Sequence, residues 1–240
     1  TPAGMINSIG LPNPGLEGFL AGDLNRLVEL PVPLIVSVMA SSAEHFIELV
    51  EGVSAVEGVA GIELNVSCPN VHSGLIVGEQ PDETLALMDK LRPRTPLPLI
   101  VKLTPNVANP DRIAVAAEEG GADAVSLINT VKAAGIDPNH NRTWLGVGAG
   151  GLSGPAVRPI ALAQTRTVSS AVQIPVIGMG GITDGESALE FILAGATVIA
   201  VGTENFRDPA AGNAVRDGLG AALARRGFDS LAAAQTSTLS

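Results

Sequence analysis

The chain has 240 residues, 46% of them apolar, 16% charged and 2% aromatic, with 28 glycines and 17 prolines; this is the composition of one globular α/β domain and excludes a disordered chain. Its 14 basic and 24 acidic residues leave a formal charge of −10 without any block of Lys or Arg, so neither nucleic acid nor an anionic membrane surface is expected as a main partner. No apolar run approaches the roughly 18 residues of a membrane span, and the single cysteine, Cys68, excludes an internal disulfide or a cysteine-ligated cluster within the chain, which fits the cytoplasm.

The chain opens on Thr1-Pro2-Ala3-Gly4-Met5, with no signal-peptide pattern and no initiator methionine, so processing or truncation is expected. Asn7-Ser8-Ile9-Gly10-Leu11-Pro12-Asn13 reads as a loop whose backbone N–H groups could hold a carboxylate. Six β-rich runs follow: Leu34–Met39, Ile62–Ser67, Leu99–Leu103, Val125–Asn129, Val176–Met179 and Val198–Val201. Ser41-Ser42-Ala43-Glu44 has capping-box spacing, and Pro81-Asp82, Pro110-Asp111 and Asp184-Gly185-Glu186 read as helix starts. Strand alternating with helix means a parallel sheet. In the second run Ile62, Leu64 and Val66 are expected to face helices, with Glu63, Asn65 and Ser67 facing inward.

Polar residues recur at the strand ends, as at the mouth of a (β/α)₈ TIM barrel, whose catalytic groups sit there. Eight strands are needed and six are visible, so about two βα units are expected upstream of a single barrel domain spanning residues 1–240. The Gly- and Asn-rich stretch Lys132–Pro155 is long for a βα loop and is expected to form a lid or inserted hairpin.

Several residues carry chemistry. Gly180-Gly181 and Gly202-Thr203 end the last two strands, where missing side chains let a phosphate approach backbone N–H groups and a helix N-terminus can add its dipole. Taken singly, such glycines are equally well explained by tight turns. In Asn65-Val66-Ser67-Cys68-Pro69-Asn70-Val71 a thiol at a strand end is flanked by amides that suit a planar ring with carbonyl and N–H groups, although a lone cysteine is more often an inert buried residue. His45, His72 and His140 lack zinc-type spacing, and no metal site is expected.

Seven motifs in order make the sequence resemble the class 1 dihydroorotate dehydrogenases: Asn7 to Asn13, Asn65 to Asn70, Val101-Lys102-Leu103, Ile128-Asn129-Thr130, Gly150 to Pro155, Gly178 to Gly181 and Val201-Gly202-Thr203. The resemblance implies an FMN-binding (β/α)₈ barrel that oxidises dihydroorotate to orotate in pyrimidine synthesis. It implies Cys68 as the general base taking the C5 proton while hydride leaves C6 for the flavin. Asn7, Asn65, Asn129 and Thr130 would hold the pyrimidine and its carboxylate, with the Ile9, Gly10 and Leu11 backbone. Lys102 would contact the flavin near its N1–C2 edge, and Ile128, Ser153, Gly154, Gly180, Gly181, Gly202 and Thr203 would bind FMN, the last four around its phosphate. Val71-His72-Ser73-Gly74-Leu75 resembles the NAD-linked 1B form, which implies a separate electron-transfer subunit carrying FAD and an iron–sulfur cluster, and a homodimeric core. An upstream FMN-contacting lysine and the first two barrel strands of that family are not in this chain. The alternatives are a dihydropyrimidine dehydrogenase-type flavin domain, a non-catalytic truncated barrel, and a non-flavin phosphate-binding barrel.

Overall fold

A computed structural model of the chain describes residues 1–66 and 78–237. The second half of the cysteine motif, residues 67–71 with Ser67 and Cys68, and the subclass motif at 71–75 lie outside the described residues. In chain order the described elements are β1 (Met5–Asn7), α1 (Gly15–Ala21), α2 (Asp23–Leu27), β2 (Leu34–Val38), α3 (Ala43–Ser54), β3 (Val59–Asn65), α4 (Pro81–Leu91), β4 (Leu99–Lys102), α5 (Pro110–Glu119) and β5 (Ala124–Leu127). There follow β6 (Val131–Ala133), β7 (Ile136–Asp137), β8 (Arg142–Thr143), β9 (Gly150–Ser153), α6 (Arg158–Ser169), β10 (Val176–Met179), α7 (Gly185–Leu193), β11 (Val198–Ala200), α8 (Ala211–Arg225) and α9 (Leu231–Gln235).

All six expected runs are strands, namely β2, β3, β4, β5, β10 and β11. β3 begins three residues before the expected Ile62, because Val59 already pairs with Leu34; Gly61 had hidden this start by interrupting the apolar run. The opening loop also contains a strand, β1, which pairs antiparallel with β9 (Met5↔Ser153, Asn7↔Gly151). The glycine-rich stretch is an inserted antiparallel structure: β6 pairs with β9, and β7 pairs with β8.

The chain forms two compact units. One comprises Ile9–Leu103 and Arg112–Val125, the other Thr1–Ser8, Thr104–Asp111 and Ser126–Ser240, so β5 contributes residues to both. In the first, β2, β3 and β4 pair in parallel, with Val36↔Ile62 and Leu64↔Val101 in register. Ile62, Leu64, Leu99 and Val101 are fully buried, as are Val50 of α3 and Leu91 of α4. Burying each such side chain is worth about 1.5–3 kcal/mol, enough to fix the register of the alternating strand. Arg92 locks the entry to β4, donating to Asp123 Oδ2 at 2.6 Å and to the Leu97 carbonyl at 2.9 Å, while Asp123 accepts from the Leu99 amide at 2.8 Å.

The α3 cap sits one residue later than expected. Ser42, not Ser41, caps the helix by accepting from the His45 amide at 3.2 Å, so Glu44 falls in the first turn. Hydrogen bonds from its own backbone and from Ser42 hold the Glu44 carboxyl below the usual range.

The second unit pairs β10 with β11 in parallel (Ile177↔Val198) and holds the β1–β9–β6 sheet. Its α7 is capped by Asp184, whose side chain accepts from the Ser187 amide at 2.8 Å, while Ser187 Oγ accepts from the Asp184 amide at 3.0 Å. These hydrogen bonds from Ser187 hold the Asp184 carboxyl below its ordinary value.

Candidate active site

In the second unit the expected cofactor residues converge at strand ends. A Cβ on Gly181 would lie 2.7 Å from the Gly154 carbonyl oxygen, and one on Gly154 would lie 3.5 Å from Thr203 Cγ2. A Cβ on Gly180 would lie 3.1 Å from Ile128 Cγ1. Gly154 and Gly181 have φ of 84° and 81°, conformations that a side chain resists, so both positions need glycine twice over: for the backbone angle and for the close approach. A Cβ on Gly202 would meet open space, so here the absent side chain leaves room beside the backbone. Ser153 Oγ donates to the Met5 carbonyl at 3.4 Å, tying its hydroxyl to the β1–β9 pairing.

A helix N-terminus is expected to add its dipole at these strand ends, and two helices begin near them, a 3₁₀ turn at Thr203–Phe206 and α7 at Gly185. The first turn of α7 already faces a resident carboxylate, Asp184, and the Ser187 hydroxyl accepts from both the Thr183 and Asp184 amides at 3.0 Å. A second anion at that helix end would meet like charge.

The expected substrate residues of this unit also gather. Asn7 ends β1 opposite Gly151, and a Cβ on Gly151 would overlap Thr130 Oγ1. The Asn129 side-chain oxygen accepts from the Thr130 amide at 2.8 Å. Sequence reasoning missed Asn106, which fastens this turn: its Nδ2 donates to the Thr130 carbonyl at 3.1 Å and its Oδ1 accepts from the Lys132 amide at 2.9 Å. Asn106 lies 24 residues from Thr130 in sequence, and the only local signal was the Thr104-Pro105-Asn106 turn after β4.

In the first unit Asn65 and Lys102 are register partners across β3 and β4. Asn65 lines a cavity of about 350 Å³ together with Leu11, Asn13 and Ser37. In the expected carboxylate-binding loop the residues Ile9 and Leu11 are 74% and 46% exposed, and Gly10 and Leu11 have φ of 80° and 55°. Glu63, expected only to point inward, accepts from Ser37 Oγ at 2.9 Å and lies 3.9 Å from Lys102 Nζ. Among the described residues no group of three or more His, Cys, Asp or Glu could hold a metal ion, and no helix is long and apolar enough to cross a membrane.

Each unit by itself carries groups whose chemistry fits part of an FMN: in the second, glycine backbone at converging strand ends suits a phosphate, and in the first, the largely buried ammonium of Lys102 suits the electron-rich edge of a flavin.

Comparison with known proteins bears on this arrangement. The family model for dihydroorotate dehydrogenase matches residues 1–223. A dihydroorotate dehydrogenase B (NAD(+)) catalytic subunit from Desulforudis audaxviator is 47% identical over 229 residues, 95% of this chain and 75% of that protein. One of the same name from Lachnoclostridium phytofermentans is 48% identical over 220 residues, 91% of this chain and 73% of that protein. The chain thus spans about three quarters of the length of these relatives. A crystal structure of dihydroorotate dehydrogenase in complex with ferulenol, from Eimeria tenella, superposes with a TM-score of 0.77 at 22% identity, covering 97% of this chain and 70% of that one, and so shares the fold. The fold, the ordered motifs and the relatives agree: this chain, whose described residues form six parallel strands of a partial (β/α)₈ barrel, belongs to the dihydroorotate dehydrogenase family, on the branch of the NAD(+)-linked B-type catalytic subunits.

Proposed function

We propose that the chain binds FMN and oxidises dihydroorotate to orotate, the reaction for which its relatives are named. The observation that carries this reading is the convergence of Ile128, Gly154, Gly180, Gly181 and Thr203 at the strand ends. In this reading the glycine backbone at 180–181 and 202–203 holds the phosphate, Ile128, Ser153 and Gly154 contact the cofactor, and Lys102 lies against the flavin ring. Bound FMN supplies the acceptor for the hydride that leaves C6 of the substrate.

The remaining chemistry belongs to the chain. Cys68, as thiolate, takes the C5 proton; a free thiol titrates near 8.5, so the base is more fully formed toward alkaline pH. Asn65, Asn129 and Asn7 each offer both a donor and an acceptor, the pattern that a ring bearing carbonyl and N–H groups requires. Thr130 adds a hydroxyl, and the left-handed Gly10-Leu11 backbone presents amides to the carboxylate. The chain acts as the catalytic part of an assembly, with a second copy and with a subunit carrying FAD and an iron–sulfur cluster as electron-transfer partner, and it works in the cytoplasm. In this reading residues 1–240 serve one FMN-binding barrel domain.

The test is optical. The purified protein is expected to show flavin absorbance that bleaches when dihydroorotate is added without oxygen. Orotate is expected to perturb the oxidised spectrum, and uracil is not. A colourless folded protein, or flavin bleached by dihydrouracil in place of dihydroorotate, would overturn the proposal.

A further inference from the structure

We infer that Glu63 sets the redox potential of the flavin through Lys102, its carboxylate offsetting part of the positive charge that the ring meets. This deepens the proposed function and rests on the contact between Lys102 and FMN.

Three adjacent strands build the arrangement. Ser37 of β2 is the register partner of Glu63 on β3, and Lys102 of β4 is the partner of Asn65, two residues further along. Glu63 and Asn65 share one face of β3, and the residues between and beside them, Ile62 and Leu64, are fully buried on the other. The Glu63 side chain is only 14% exposed and that of Lys102 only 19%. Ser37 Oγ donates to Glu63 Oε1 at 2.9 Å, and the same oxygen lies 3.9 Å from Lys102 Nζ.

Withdrawing a carboxylate from water is unfavourable unless it is paired, and a strand that had only to fill space would carry an apolar residue here. The pairing answers that cost and has a second effect. A lone ammonium beside the ring would favour the reduced, more negative form of the flavin; an acid within ion-pair reach weakens that field without removing the cation. Glu63 therefore acts as a positioning residue: the serine fixes the carboxylate, and the carboxylate fixes and partly neutralises the lysine.

Redox titration of the FMN-loaded protein tests this. In Glu63→Gln the ratio of reduced to oxidised flavin at fixed potential is expected to rise about tenfold, a positive shift of roughly 30 mV for a two-electron couple. Glu63→Asp keeps the charge but withdraws it by one methylene, and is expected to shift the potential in the same direction by less. Lys102→Met is expected to shift it negative, and adding Glu63→Gln to Lys102→Met is expected to change it little further. If Lys102→Met shifts the potential while Glu63→Gln and Glu63→Asp leave it in place or move it negative, the inference is overturned. If Lys102→Met itself changes neither potential nor flavin binding, the Lys102 reading falls, and the inference with it.

Discussion

Gly151→Ala perturbs the turn that carries Thr130 without touching it chemically. Gly151 lies in β9, between Asn7 of β1 and Lys132 of β6. A Cβ there would overlap Thr130 Oγ1 and lie 2.5 Å from the Thr130 Cβ, whereas carbon atoms rest about 3.5–4.0 Å apart, so one partner must retreat by about 1 Å. The Thr130 backbone is held on both sides, its amide by Asn129 at 2.8 Å and its carbonyl by Asn106 at 3.1 Å. The side chain therefore gives way and its hydroxyl turns out of place. Losing one hydrogen bond to an anionic ligand is worth about 1.5–3 kcal/mol, or roughly 10- to 150-fold in affinity. Overpacking adds a fall in thermal stability of about 1–3 kcal/mol. Titrating orotate against the oxidised flavin spectrum measures the first effect and thermal unfolding the second, with Thr130→Ala as reference for the lost hydroxyl. A Gly151→Ala protein with wild-type orotate affinity would refute the placement of Thr130 beside the substrate.

Cys68→Ala is expected to keep FMN and orotate binding while flavin reduction by dihydroorotate, followed by stopped flow, slows about 10²–10⁴-fold. Asp184→Ala removes the cap of α7 and is expected to cost about 1 kcal/mol in thermal or denaturant unfolding. Because the folded carboxyl of Asp184 titrates below its unfolded value, its contribution is fully present above about pH 4 and is lost as pH falls through the folded value, so the stability gap between wild type and Asp184→Asn should narrow in acid. In Gly181→Ala the new Cβ would lie 2.7 Å from the Gly154 carbonyl and 3.0 Å from Pro155 Cα at a φ of 81°; a positive φ alone costs about 1–2 kcal/mol, and flavin fluorescence after gel filtration should report lost FMN.

The six parallel strands were legible because each is a short Val, Ile and Leu run whose burial depends on local alternation, as Ile62 and Leu64 show against Glu63 and Asn65. The helix starts at Pro81 and Pro110 were legible for a similar reason, since a proline at the first helical position has no amide to leave unpaired. What the sequence concealed depends on partners far along the chain. β1 is three residues long and exists by pairing with β9, almost 150 residues away. Asn106 looks like an ordinary turn residue until Thr130 and Lys132 are brought to its two ends. Glu63 was visibly inward-facing, but its partners Ser37 and Lys102 lie on neighbouring strands and only the register makes them neighbours.

The same logic bears on the proposed FMN site, since an anionic cofactor would have to be held by a chain of charge −10. Net charge opposes it, and the α7 terminus next to Gly180-Gly181 is already occupied by the Asp184 carboxylate. Arg158, whose Cβ lies 3.0 Å from where a Cβ on Gly181 would be, is engaged by Glu190 at 3.3 Å. The proposed phosphate site therefore rests on backbone, with Gly181 and Thr203 both close to Gly154 because no side chain intervenes, and open space beside Gly202. Fixed dipoles at short range are screened by salt far less than a diffuse positive surface. They also select by shape, since they reward an oxygen only where the amides point. A phosphate site made this way carries no charge signature in the composition, and its trace in the sequence is glycine placed at the ends of successive strands.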